Sequence, residues 1–400
     1  MKNALLVKNA KLALPTGAEA NYKLPNYGIL VGQDGRIVNV FDMQDLDAQP
    51  HEAKLAYSAE QIYDAEGKLV TAGLIDTHIH GIGGFGTDDG TAEAILGMSE
   101  KLAQFGVTGF LPTLYAGRPE KMEREAKAVL EAMGKEKGAT ILGVNFEGPF
   151  LSPLRAGAQD SASISEPKVE VFEHFIEICK GHLVCMTVAP ELKGIEEIAA
   201  LAQKENIVLL AGHTNATYEQ AEKGVALGIK HATHMFNAMP DIGHRDPKIS
   251  GAALMDNNFS CELIADGVHV NKDLVKYVAT TKPRGKVVLI TDSLKPTSLG
   301  KGTFTANGTK VLLGEKGAFV NAENPSLLCG SALTLNRAVG NLISWGVEED
   351  KAVAMANKNP ADLYGFKDIG VIKKGHLANL SVFDENFNAV AVFIAGKRRK

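Results

Sequence analysis

The segment Gly73-Leu74-Ile75-Asp76-Thr77-His78-Ile79-His80-Gly81 joins a short apolar run to two histidines two positions apart. Side chains two apart on a strand share a face, so His78 and His80 project together while Ile79 faces the opposite layer. Two neutral imidazoles side by side near the C-terminal end of a strand suit Zn²⁺ and similar divalent ions. An H-x-H triad alone is a weak signal, because two solvated histidines satisfy it equally well. Its weight depends on what the rest of the chain supplies.

Outward from this segment, short apolar runs alternate with longer helical patterns, as in repeated βα units with a parallel sheet. Eight strands are expected, at Leu74–Ile79, Gly109–Thr113, Ile141–Glu147, Leu183–Val188, Ile207–Ala211, His231–His234, Cys261–Ala265 and Val287–Thr291. Helices are expected between them, for example over Thr91–Phe105, Met122–Met133 and Tyr218–Leu227, and again at Gly330–Leu342 and Glu348–Asn357. Eight such units have the size of a (β/α)₈ TIM-type barrel, with an open doubly wound sheet as the competing architecture. Residues 302–321, with turns at Asn307-Gly308, Gly314 and Gly317, read as a hairpin insertion after the eighth strand.

Both ends of the chain read as β structure. Tyr27–Val31 and Arg36–Val40 flank a turn at Asp34-Gly35, and Leu377–Phe383 and Ala389–Ile394 are short apolar strands. The expected fold class is therefore α/β: a barrel over residues 71–372 with a small β-sandwich domain built from residues 1–70 and 373–400.

The 400 residues are 45% hydrophobic and 22% charged, ordinary values for a globular chain with a sizeable core. A net charge of -5 leaves no surplus for a nucleic-acid backbone or an anionic membrane. No apolar run approaches the ~20 residues of a membrane helix, and no secretory core segment opens the chain, so a cytoplasmic protein is expected. The four cysteines include no C-x-x-C pair and read as thiols rather than a disulfide framework.

Further chemistry-bearing residues fall at the expected strand ends. Glu147 closes the third strand, His213 follows the fifth, His234 closes the sixth, His269 lies beyond the seventh and Asp292 closes the eighth. In a barrel all C-terminal strand ends meet on one rim, where active sites form. His231 has the opposite strand parity to His234 and is expected to be structural. His51, His174, His182 and His376 lie away from the rim, and His244 is left without a role. Gly81-Ile82-Gly83-Gly84-Phe85-Gly86 matches the dinucleotide fingerprint G-x-G-x-x-G, but no acidic residue ends a second strand some twenty residues on, where a ribose contact belongs.

Taken together, these motifs resemble the N-acetylglucosamine-6-phosphate deacetylase family of the metal-dependent amidohydrolase superfamily. The resemblance is carried by the first-strand motif above, Asn145-Phe146-Glu147-Gly148-Pro149-Phe150-Leu151, Ala189-Pro190-Glu191, Gly212-His213-Thr214-Asn215-Ala216, Thr233-His234-Met235-Phe236-Asn237-Ala238-Met239 and Ala265-Asp266-Gly267-Val268-His269-Val270. It implies that Glu147, His213 and His234 hold a principal metal and that His78 and His80 hold a second, with Glu147 bridging. It implies one or two divalent ions per subunit, Zn²⁺ first, with Fe²⁺, Co²⁺ or Mn²⁺ as alternatives. Asp292 matches the catalytic acid/base, and Gln159, Asn237, Ala238, Arg245 and His269 match substrate-binding positions. The resemblance also implies a homodimer in which Arg245 and His269 reach the neighbouring subunit's site.

The implied reaction is hydrolysis of the acetamide of N-acetyl-D-glucosamine 6-phosphate to the amine and acetate. N-acetylgalactosamine 6-phosphate, a cyclic amide, and a non-catalytic barrel acting as an assembly partner are the alternatives. Two departures bear on sugar selectivity. Gln159 stands where many members carry His, and Thr291-Asp292-Ser293-Leu294 replaces T-D-A-M.

Overall fold

The computed structural model describes residues 3–13, 26–47, 54 and 56–400. Eight parallel strands form the barrel: β1 (Leu74–Ile79), β2 (Val107–Tyr115), β3 (Val144–Glu147), β4 (Leu183–Val188), β5 (Val208–Ala211), β6 (His231–Ala232), β7 (Ser260–Ile264) and β8 (Val287–Ile290). They pair in chain order from β1 to β8. Nearly every residue on them is buried, as expected of a parallel sheet covered on both faces.

The ring closes through backbone rather than a regular ladder. The Asp292 N–H donates to the His78 carbonyl at 2.9 Å, and the His80 and Gly81 N–H groups both donate to the Ser293 carbonyl at 3.0 Å. Asp76 staples the same seam, accepting from the Thr291 hydroxyl at 2.7 Å and the Thr291 N–H at 3.3 Å. Burial pushes its carboxyl up to about 7. The two ends of the barrel therefore meet where His78, His80 and Asp292 stand.

Several elements differ from the sequence reading. The expected strand Ile141–Glu147 is split into a two-residue strand, Thr140–Ile141, and β3. Gly143 lies between them with φ 141°, and a Cβ there would come within 2.4 Å of Val184. β6 ends at Ala232, because Met235 N–H already donates to the Glu262 carbonyl and the chain turns away through His234. Gly330 lies on a strand, Leu328–Ser331, and the helix expected there starts only at Leu335. The insertion is larger than a hairpin: Thr303–Ala306, Thr309–Leu313, Ala318–Asn321 and Leu328–Ser331 form a four-stranded antiparallel sheet. The glycine fingerprint at 81–86 is itself a small hairpin of Gly81–Ile82 on Phe85–Gly86, and the next α-helix begins only at Ala92.

Surrounding helices bury one face each, as with Ile95, Met98 and Leu102 on Ala92–Ala103 and Met122, Ala126 and Val129 on Pro119–Ala132. Strands from both ends of the chain build a separate sheet, in the order Lys397–Arg398, Ala389–Ile394, Leu380–Phe383, Leu69–Ala72, Leu5–Leu12, Tyr27–Val31 and Ile37–Asp42. Leu5–Leu12 pairs with Gln61–Asp64 through its first half and with Leu69–Ala72 through its last residues. The two halves of the sheet share one core, in which Leu5, Ile29 and Val31 meet Val70, Leu380 and Phe393. The expected boundary at residue 70 falls inside the strand Leu69–Ala72.

Candidate metal centre

Glu147, at the end of β3, lies among four imidazoles. His213 Nε2 is 3.0 Å and His234 Nε2 2.9 Å from its Oε1, His80 Nε2 is 3.1 Å from its Oε2, and His78 Nε2 is 3.5 Å from Oε1. All five side chains are buried. They form two overlapping triads, His78/His80/Glu147 and Glu147/His213/His234, each with ligand atoms within 4.8 Å of one another.

Three of the four rings are oriented from behind. His78 Nδ1 is 3.1 Å from Glu262 Oε2, His80 Nδ1 2.9 Å from the Thr113 carbonyl and His213 Nδ1 3.0 Å from the Arg155 carbonyl. Each Nδ1–H donates outward, which leaves the Nε2 lone pair facing Glu147. Lone pairs on nitrogen and carboxylate oxygen repel unless a cation or additional protons lie between them. Burial lowers the proton affinity of His78, but the charges of Glu262 and Glu147 overcome it and raise its pKa well above the ordinary value. Burial likewise raises the Glu147 carboxyl, and His78 together with hydrogen bonds from His213 and His234 brings it well below the usual range. A divalent cation meets the same demand by displacing the protons. Four nitrogens and a carboxylate with no thiolate fit Zn²⁺ or a neighbouring first-row ion.

Strained backbone accompanies this convergence. His213, His234 and Asp292 have φ of 46°, 27° and 49°, a region that costs a non-glycine residue about 1–2 kcal/mol. The chain turns sharply just past β5, β6 and β8, and these turns swing the three side chains inward. Asp292 Oδ1 lies 3.4 Å from His80 Nε2 and 3.7 Å from His78 Nε2. Burial raises its carboxyl, while the His80 hydrogen bond and the two imidazoles lower it, with a net shift downward.

A cavity of about 280 Å³ opens above these groups. His80, Glu147, Gln159, His213, His234, Asn237, Ala238, His269 and Asp292 line it on the barrel side, and Ala306, Asn307, Thr309, Val311 and Cys329 line it from the inserted sheet. The Gln159 amide donates to Glu147 Oε2 at 2.5 Å and accepts from the Ala116 N–H at 3.1 Å. The Asn237 side chain donates to the His234 carbonyl at 3.1 Å, and the Ala238 carbonyl accepts from the Thr214 N–H at 3.2 Å. His269 Nδ1 is 2.6 Å from Asp266 Oδ2, and its buried Nε2 has no hydrogen-bond partner among the described residues. His269 thus lines the cavity of its own chain.

Arg245 does not join the cluster. It is exposed and does not line this cavity. Asp246 beside it is occupied by Lys248 at 2.6 Å and by the N–H groups of Tyr218 and Lys248. His244 is likewise exposed and off the cavity. His231 stays out of the metal triads and bonds Ser260 Oγ at 2.8 Å; burial lowers its pKa to about 4. His174 pairs with Glu123 at 3.1 Å, and His51 lies outside the described residues.

Two residues of the centre escaped the sequence reading. Tyr115 stacks on His80 with ring centroids 3.7 Å apart. It closes β2 as Glu147 closes β3, and ending that strand at Thr113 hid it. Glu262 sits fully buried on β7, and a lone carboxylate inside the apolar run Cys261-Glu262-Leu263-Ile264 was the available signal.

The amidohydrolase family matches residues 69–399. An N-acetylglucosamine-6-phosphate deacetylase of Vibrio furnissii is 31% identical over 332 residues, 81% of each chain. One of Bacillus subtilis is 31% identical over 346 residues, 86% of this chain and 83% of its own. The crystal structure of the Thermotoga maritima N-acetylglucosamine-6-phosphate deacetylase superposes with a TM-score of 0.85 at 28% identity, covering 99% of both chains. The chain thus belongs to the amidohydrolase family, within the branch that carries the N-acetylglucosamine-6-phosphate deacetylases.

Proposed function

We propose that this protein hydrolyses the acetamide of N-acetyl-D-glucosamine 6-phosphate, releasing acetate and D-glucosamine 6-phosphate. The observation that carries the reading is the ring of four imidazole Nε2 atoms around Glu147 at the floor of a cavity. An amide is a poor electrophile and an amine a poor leaving group at neutral pH. In our reading Glu147, His213 and His234 hold the principal ion, Zn²⁺ by preference, and His78 and His80 with Glu147 hold a second where one binds. Such an ion, when bound, polarises a carbonyl oxygen and makes water nucleophilic near neutral pH.

The remaining steps belong to the chain's own groups. Asp292, ionised beside His80, accepts the proton of the attacking water and returns it to the departing nitrogen. The lowered pKa keeps the carboxylate ionised and free to take a proton, and makes the protonated form the readier donor to the departing nitrogen. Asn237 and the backbone around Ala238 offer polar contacts to the sugar, and His269, fixed by Asp266, lines the cavity beside them. Gln159 orients Glu147 through its amide and faces the substrate from the same wall. Arg245 supplies phosphate recognition to the cavity of a second subunit in a homodimer, because a planar guanidinium holds phosphate oxygens bidentately.

The test combines elemental analysis of purified protein with acetate release from phosphorylated and unphosphorylated N-acetyl sugars of both gluco and galacto configuration. Bound divalent metal and a preference for the gluco 6-phosphate are expected. Metal without acetate release from any sugar would refute the substrate assignment, and a galacto preference would move it to the epimer.

A further inference from the structure

Beneath the two triads, Glu262 on β7 is fully buried. One of its oxygens, Oε2, meets both triads: it lies 3.1 Å from His78 Nδ1 and accepts the backbone N–H of His234 at 3.2 Å. The Glu262 carbonyl also accepts the Met235 N–H at 2.9 Å, so the strained turn carrying His234 is pinned to this one residue. Its other oxygen has no hydrogen-bond partner among the described residues and stands 4.0 Å from His231 Nε2. A buried carboxylate is costly unless it is compensated. Here the compensation comes from the two N–H groups that set the geometry of the centre.

We propose that Glu262 is a positioning residue that couples the two metal triads, fixing the His78 ring so that Nε2 faces Glu147 and holding the His234 turn in register with it. The inference rests on the assignment of these triads as ion ligands, but not on the substrate. Glu262 touches neither the cavity nor Glu147. It acts by orientation: the His78 Nδ1–H is directed to the carboxylate, and the His234 backbone has one acceptor at the start of its turn. Loss of such an outer partner typically weakens metal affinity or activity roughly 10- to 100-fold.

The experiment measures Zn²⁺ dissociation constants by competition with a chelating dye, together with kcat and KM, for wild type, Glu262→Leu and Glu262→Gln. Leu removes the acceptor, whereas Gln keeps one oxygen able to accept both N–H groups. Glu262→Leu is expected to weaken Zn²⁺ binding roughly 10- to 100-fold and to lower kcat with little change in KM. Glu262→Gln should recover most of both losses. Unchanged Zn²⁺ affinity in Glu262→Leu, or an equal loss in Glu262→Gln, would overturn the proposal. If the Leu variant does not fold, imidazole ¹⁵N spectra of the zinc-loaded wild type decide. A proton on His78 Nδ1 is required, and its absence overturns the assignment. Acetate release plays no part in the dye competition, so a wrong substrate leaves that result intact.

Discussion

Asp292 stands in a left-handed turn after β8 with its carboxylate against His80 and its backbone N–H on His78. Asparagine has nearly the same shape and tolerates that backbone conformation well, so Asp292→Asn should keep the bound metal and lose about 10²- to 10⁴-fold in kcat. Metal content and acetate release on one preparation check this, and an Asn variant with wild-type turnover would remove Asp292 from the reaction. A second residue lies outside the centre. Glu125, on the helix Pro119–Ala132, is buried with neither oxygen hydrogen-bonded among the described residues, 3.7 Å from Lys121 and 3.8 Å from Arg124. Burial raises its carboxyl to about 7, and the two cations only partly offset it. A folded-state value above the ordinary 4.5 means the folded protein binds this proton more tightly than the unfolded chain. Stability is therefore lost as pH rises from about 4.5 to about 7 and is flat above, by at most about 3 kcal/mol. Glu125→Gln should melt close to wild type at pH 5 and higher than wild type at pH 8. An identical difference in Tm at both pH values would contradict this.

At the scale of elements, the inserted sheet forms one wall of the cavity, and its first turn is anchored rather than free. The Asn307 N–H donates to Asp88 at 2.8 Å, and the Asn307 side chain accepts from Lys121 at 2.6 Å. Lys121 also lies over the face of Tyr115, 5.9 Å from its centroid, and Tyr115 stacks on His80. A continuous set of contacts thus runs from the insertion to the candidate metal centre. Asp88→Ala should loosen the turn, raising KM several-fold while kcat stays within about twofold, since the reacting groups do not move. Hydrogen exchange should accelerate across residues 303–313, and exchange identical to wild type would show that the anchor carries no load.

For the molecule as a whole, Arg245 is exposed, and the proposed homodimer is tested there. If its guanidinium serves a partner's cavity, Arg245→Ala raises KM for the phosphorylated sugar alone. At substrate well below KM, mixing Arg245→Ala with Asp292→Asn chains should then restore about a quarter of the wild-type rate, because half of randomly assembled dimers contain one intact site. Mixtures no more active than the two variants apart would place Arg245 outside catalysis by the partner. No helix among the described residues is long and apolar enough to cross a membrane.

Most of this centre was legible in the linear chain because strand ends are local features. Glu147, His213, His234 and Asp292 each follow or close an apolar run, and the barrel topology carries all such ends to one rim. Periodicity could also separate His231 from His234, although the reason differs from strand parity alone: β6 stops at Ala232 and the chain turns through a positive φ. What only the tertiary structure decided were the contacts between distant elements. Glu262 under His78, Tyr115 on His80, the anchored insertion and the cavity facing His269 depend on which residues meet across a closed sheet. A one-dimensional pattern specifies which face a side chain takes on its own strand, whereas its partner there depends on registers and turns set by packing throughout the barrel.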